Sequence, residues 1–203
     1  MKPNNSESTP IKPLTDDSNE LLDSLQEFAL ETGASKAAII DTQHIVIKEQ
    51  VRLKCRVPIC KSYNRNLMCP PNVMDVDEFK SVLKDYSRAL VVQKEGEVKP
   101  GQEKDRLIIF KPANELHQLV NDVEREAFHL GFRFATGFIG GSCKLCDECV
   151  TVGSGLPCEH PFKARPSMEA MGIDVFETAR IAGLPFSIPM VDKVVWCGLI
   201  LVQ

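Results

Sequence analysis

Apolar residues recur along this chain with helical spacing in some stretches and as short dense runs in others. Leu21, Leu22, Leu25, Phe28 and Ala29 fall on one helical face, with Ser18 as a candidate N-cap and Gly33 as a stop. Asp75 and Glu78 form an acidic variant of the capping box, and Val76, Phe79, Leu83 and Tyr86 make the buried face of the helix they start. Leu116, Leu119, Val120, Val123, Ala127 and Leu130 give the clearest amphipathic helix, stopped by Gly131. Ser167 can cap a short helix over residues 168–171, and a further helix is expected over 175–182. Between these lie the dense runs. Residues 36–41 and 45–48 read as the two strands of a hairpin, and 88–93, 107–110 and 134–139 as further strands. Residues 95–105 are polar and contain Gly96, Pro100 and Gly101, which predicts an exposed connection. Residues 193–202 are almost continuously apolar, so a strand covered on both faces and central in its sheet is expected there. The pattern predicts an α+β fold, a mixed β-sheet with packed helices. Residues 1–16 are polar with three prolines and read as a disordered tail, leaving 17–203 as a single domain.

Two stretches have no periodicity and are rich in cysteine instead. Cys143, Cys146, Cys149 and Cys158 are spaced C-x2-C-x2-C-x8-C and flanked by Gly140, Gly141, Gly153 and Gly155. Those glycines allow tight turns that free amide donors toward sulfur. Thiolates this crowded repel one another unless a cation neutralises them, so a metal centre is the first reading and a disulfide cluster the second. A zinc ribbon uses two separated C-x2-C pairs, whereas three cysteines at successive x2 gaps suit cubane iron–sulfur ligation. The expected cofactor is therefore an iron–sulfur cluster of the [4Fe–4S] type, with zinc as the alternative. Its fourth ligand is either Cys158 or the remote Cys69, which is followed by Pro70.

The other stretch carries Cys55, Cys60 and Cys69, spaced C-x4-C-x8-C-P-P. Three thiolates there can hold a second cluster with one iron open, or a mononuclear metal, or serve partly as buried structural thiols. The spacing is not the C-x3-C-x2-C of radical S-adenosylmethionine enzymes. Cys197, beside Trp196 in the last strand, reads as a small core hydrophobe rather than a further ligand. His160 is a ligand, a hydrogen-bond donor to cluster sulfur, or a surface loop residue; the surface reading is preferred. His44, His117 and His129 are expected on solvated surfaces, and Arg165 and Glu169 line a site or form a structural ion pair.

Composition narrows the function classes. The formal net charge of −4, without a basic block, argues against nucleic acid as a partner. No apolar run approaches the ~18 residues of a membrane span, and the N-terminus lacks a signal-peptide core. A cytoplasmic, reducing setting is expected, in which cysteines act as metal ligands or reactive thiols rather than disulfides. No catalytic triad order, P-loop or dinucleotide fingerprint is present. The favoured function is redox or electron-transfer chemistry with a redox partner protein. The alternatives are a zinc-stabilised scaffold and an enzyme using an open cluster iron.

The two cysteine spacings, taken with the segment from Ala164 to Val175, resemble the bacterial and archaeal family of predicted metal-binding proteins known as domain of unknown function 2284. The likeness runs from about Ile39 to Val202. It implies metal binding and carries no established reaction. The family is frequent in anaerobes, which agrees with oxygen-sensitive clusters.

Overall fold

The computed structural model describes residues 16–203, except residues 103, 151 and 189–191. The expected tail lies outside the described residues apart from Asp16, which is already helical. Helix α1 (Asp16–Glu31) thus begins before Ser18, so Ser18 sits in its first turn rather than at its cap.

Strand β1 (Lys36–Asp41) leads into a 3-10 turn over Thr42–His44, not into a hairpin. Thr42 and Gln43 supply none of the Gly or Asn residues that a two-residue hairpin turn requires. The Thr42 hydroxyl donates instead to the carbonyl of Tyr86 at 2.6 Å, and the chain turns away from β1. Residues 45–48 form no strand; Ile47 makes an isolated bridge to Ile173. A short helix α2 (Glu49–Leu53), which the sequence pattern did not announce, delivers Cys55. Helix α3 (Val76–Leu83) is capped as expected, the Asp75 carboxylate accepting from the amide of Glu78 at 2.8 Å.

Strand β2 (Arg88–Glu97) runs well into the segment expected to be a connection. Glu95 is held there by lysines on both sides, Lys36 at 3.1 Å and Lys193 at 2.9 Å. Helix α4 (Arg106–His129) absorbs residues 107–110, which were expected as a strand. A four-residue apolar run fits either element, and the cap decides. The Asp105 carboxylate accepts from the amide of Leu107 at 2.9 Å and opens the helix at that point. Pro112, inside the helix, forfeits one backbone bond, but its ring is buried.

Strand β3 (Thr136–Phe138) is shorter than its apolar run. Ser167 does cap a short turn, its hydroxyl accepting from Ala170 at 3.0 Å, but the turn is a 3-10 helix over Glu169–Met171. Helix α5 (Val175–Ile181) and strand β4 (Lys193–Val202) complete the chain.

The sheet order is β1-β2-β4-β3, and every neighbouring pair is antiparallel, so the sheet is not mixed. The α4 crossover does bring β3 back parallel to β2, as a strand–helix–strand unit should. β4 then slots antiparallel between them and removes the parallel contact. Its central place agrees with its unbroken apolar run.

Side chains alternate across the sheet. Leu90, Val92, Ile200 and Val202 pack under α1 and α4 with Leu25, Leu116 and Val123. Ala89, Val91, Leu199 and Leu201 pack on the other face with Phe79, Met168, Met171 and Ile173. The α+β domain is therefore three layers, each fully buried Leu, Ile or Phe contributing ~1.5–3 kcal/mol. Among the described residues, no helix is long and apolar enough to cross a membrane.

The seat of α4 is unusually close. A Cβ on Gly198 of β4 would lie 2.6 Å from a Val120 methyl, and one on Gly137 of β3 would lie 2.5 Å from the other Val120 methyl. A Cβ on Gly96 of β2 would lie 2.8 Å from the Pro112 ring. Three adjacent strands thus present glycine along the track of one helix. Gly198→Ala is expected to lower the unfolding free energy by the ~1–3 kcal/mol of an overpacked core, read as a lower denaturation midpoint with unchanged m-value. Combining it with Val120→Ala should recover part of the loss. Fully additive losses in the double variant would show that the close approach is not the cause.

Candidate metal centre

The chain leaves β3 through Ile139, which bridges Ser167, and then passes through Gly140 and Gly141. A Cβ on Gly140 would sit 2.8 Å from the carbonyl oxygen of Cys197, so only glycine fits against β4 there. Gly141 has φ of +70° and lies over the Trp196 ring, while its amide donates to the Glu169 carboxylate at 3.2 Å. Trp196 is fixed in turn by its indole N–H, which donates to the carbonyl of Ile109 on α4 at 2.9 Å. These contacts set the direction in which Cys143 leaves the sheet.

Cys143, Cys146, Cys149 and Cys158 line one small cavity, together with His160. Its volume is about 20 Å³, room for a single water-sized body. The 55–71 segment closes the cavity from outside with Leu67 and Met68. Asn66 ties the two segments together. Its side-chain NH2 donates to the carbonyl of Cys143 at 3.0 Å, and its side-chain oxygen accepts from Met68 at 2.9 Å.

Burial pushes the Cys143 thiol above its ordinary pKa, while the nearby backbone amides of Leu145 and Arg165 act the other way. The His160 amide donates to the Cys158 sulfur at 3.4 Å. Cys146 is raised by desolvation and then by the Glu159 carboxylate, to which its thiol donates at 3.8 Å. Cys146, Glu159 and His160 present sulfur, oxygen and nitrogen atoms all within 4.8 Å of one another. His160, expected as a surface residue, therefore lines the cavity. Its signal in the sequence was its position two residues after Cys158.

Cys55, Cys60 and Cys69 are electrostatic neighbours as well. Burial and then the Cys60 thiol raise Cys55. Burial pushes Cys69 up to about 12, with Cys60, Cys55 and then Cys143 adding to it. Cys69 thus feels both groups. Between them lies Lys144, whose ammonium donates to the carbonyl of Ser142 at 2.8 Å and sits 5.1 Å from the Phe110 ring and 5.4 Å from the Trp196 ring. Burial lowers its pKa, and Glu169, Cys143 and Cys69 oppose that shift. No motif pointed to this lysine, because its partners arrive from α4 and β4.

Three side chains hold the frame rather than the cavity. Arg165 makes two 2.6 Å contacts to the Glu124 carboxylate, which also accepts from the Gly137 amide at 2.7 Å. His117, expected on a solvated surface, is buried, with a ring nitrogen 2.8 Å from the carbonyl of Lys163. Cys197 is a core residue as expected; its sulfur accepts from the Gln93 side chain at 3.4 Å.

A four-sulfur donor set on one cavity, with an amide hydrogen-bonded to sulfur, fits a metal bound through thiolates. Gly153 and Gly155 have positive φ and nothing within 4 Å of an added Cβ, so the loop has room to adjust around a larger group. A model of the family described as predicted metal-binding protein, domain of unknown function 2284, matches residues 38–202. The chain belongs to this family. No curated protein and no solved structure matches it. In this member of domain of unknown function 2284 the matched span includes every cysteine of both groups, β1 from residue 38 onward, β2 to β4 and the Glu159–His160 pair.

The raised thiols give a testable pH dependence. In the metal-free protein, burial lifts Cys69 and Cys197 from 9.0 to about 12. The folded form holds these protons more tightly than the unfolded chain does. Their contribution to stability is complete below about pH 9 and is lost as pH rises toward about 12. Denaturation of metal-free, reduced protein should therefore become easier across that window, with a shallower decline in Cys197→Ala. A stability independent of pH there would contradict the assignment.

Proposed function

We propose that this chain is an intracellular iron–sulfur protein that takes part in one-electron redox chemistry, with Cys143, Cys146, Cys149 and Cys158 holding a [4Fe–4S] cluster. The observation that carries this reading is the convergence of all four cysteines on one cavity in a glycine-flanked loop. Such a cluster, when bound, supplies one-electron exchange with little nuclear rearrangement. The chain's own residues do the rest. The His160 amide donates to the Cys158 sulfur, which favours the more negative state and raises the potential. Lys144 adds a fixed cation beside Cys143 and Cys69. Leu67, Met68 and Ala164 keep water from the sulfurs. Cys55, Cys60 and Cys69 are the ligands of a second centre with three thiolates, which leaves a place there for a non-protein ligand. Cys197 does not fill it, because its backbone is paired in the centre of the sheet.

A zinc-stabilised scaffold is the second reading. The 20 Å³ cavity suits a single ion without adjustment, and Cys146, Glu159 and His160 offer a mononuclear donor set.

Metal analysis decides between them. Protein purified without oxygen should be brown, absorb broadly near ~400 nm, and contain iron with acid-labile sulfide. Cys146→Ala should remove one centre, Cys55→Ala should alter a different signal, and Cys197→Ser should leave metal content unchanged. Stoichiometric zinc without iron in the anaerobic preparation would replace the redox reading with the scaffold one.

A further inference from the structure

A cleft of about 480 Å³ lies between the C-terminal half of α4 and the segment that follows Cys158. Its walls carry two aromatic rings that the fold leaves in solvent, Phe162 at 89% exposure and Phe128 at 60%. Around them stand Arg125, Arg133 and Lys163, all exposed. Arg125 is neutralised by Asp122 at 2.7 Å, and the nearby Arg165 by Glu124. Among the described residues, Arg133 and Lys163 have no carboxylate partner. The cleft therefore carries two uncompensated positive charges on a chain whose net charge is −4. Asn121 lines the same cleft, and neither atom of its side-chain amide has a hydrogen-bond partner.

This face is joined to the cysteine cavity by backbone. The amides of Lys163 and Ala164 both donate to the carbonyl of His160, at 3.0 Å and 2.8 Å, and Ala164 itself lines that cavity. Anything seated on Phe162 and Lys163 lies one turn of chain from Cys158.

We propose that this cleft is the docking surface for an acidic electron-carrier protein of the ferredoxin type. The inference rests on the redox reading of the cysteine site and deepens it by naming the partner's chemistry and where it binds. Aromatic rings at the centre with arginine and lysine at the rim are the anatomy of a protein interface. Uncompensated cations on an otherwise acidic chain select an acidic partner and steer its approach. Nucleic acid is disfavoured by magnitude, since its binders commonly neutralise ~6–10 phosphates and this face offers two free cations. In the docked pair one electron would pass from the reduced carrier's cluster to a centre held by Cys143, Cys146, Cys149 and Cys158. The carrier is oxidised, this chain is reduced, and no bond forms or breaks.

The test uses the whole chain, purified anaerobically with its metal, and a purified acidic bacterial ferredoxin, with calorimetric titration at low and high ionic strength. Saturable one-to-one binding that weakens with salt is expected. Arg133→Glu with Lys163→Glu should weaken it by about tenfold or more, and Phe162→Ala should weaken it without changing its salt dependence. Lys84→Glu, just past α3 on the opposite layer, should leave it unchanged. Absence of binding, binding indifferent to the charge reversal, or displacement of the ferredoxin by an RNA oligonucleotide would each overturn the proposal. Reduction by dithionite separates the two readings. If dithionite fails to reduce the metal centre, the redox function fails, and the calorimetry still judges the surface. If dithionite reduces wild type and variants alike while ferredoxin binding ignores the substitutions, the surface fails and the redox function stands.

Discussion

The close seating of α4 on the sheet is the constraint from which the rest of the molecule follows. Backbones can approach this nearly only where no Cβ intervenes, and Gly96, Gly198 and Gly137 meet that need on three neighbouring strands. The helix then touches the cysteine loop, or the strand it packs on, from four positions along its length. Ile109 holds the Trp196 indole, Phe110 faces the Lys144 ammonium, His117 meets the carbonyl of Lys163, and Glu124 clamps Arg165 and the Gly137 amide. The loop has few apolar residues to hold it. Its geometry is imposed by a rigid helix that cannot slide, because Val120 is wedged between Gly137 and Gly198.

Much of this was legible in the residues. The central place of β4 followed from an apolar run buried on both faces, and the caps at Asp75 and Ser167 followed from side chains that accept amide bonds. The four cysteines on one cavity were announced by their spacing. The misreadings share a physical form. The run at 107–110 was ambiguous by period, and only the Asp105 cap resolves it as helix. The hairpin failed because Thr42 spends its hydroxyl on Tyr86, a partner 44 residues away. The sheet read as mixed because strands and helices alternate in places while 36–48 read as a hairpin, and no local pattern says that β4 will separate β2 from β3. Lys144, His117 and Asn66 could not be read at all, since each owes its role to a distant segment.

The thiols add a second consequence. Burial keeps Cys55, Cys69 and Cys143 protonated more firmly than free cysteine. A thiolate-bound metal must displace those protons, so uptake and proton release are one event, and the metal's binding energy becomes folding energy for a loop with little core of its own. In the metal-bound state proposed above, Lys144 lowers the electrostatic cost of that event. Its burial would favour the neutral amine, but Glu169, Cys143 and Cys69 hold the ammonium in place. A cation already desolvated beside two sulfurs is worth more when those sulfurs become thiolates than one that must leave water to reach them.

The same reasoning bears on whether the two cysteine groups are separate. Cys69 belongs by spacing to Cys55 and Cys60, yet Cys143 acts on it, and Asn66 in the same segment bonds the Cys143 backbone. Lys144 and Glu169 each act on cysteines of both segments or on the charges between them. A charge placed on Cys143 is therefore felt at Cys69, which is buried, so that screening by salt is weaker there than at the surface. The two segments are far apart in sequence and share one electrostatic environment. The physical unit of this protein is that shared environment, with α4 as its frame, and each spacing motif describes only half of it.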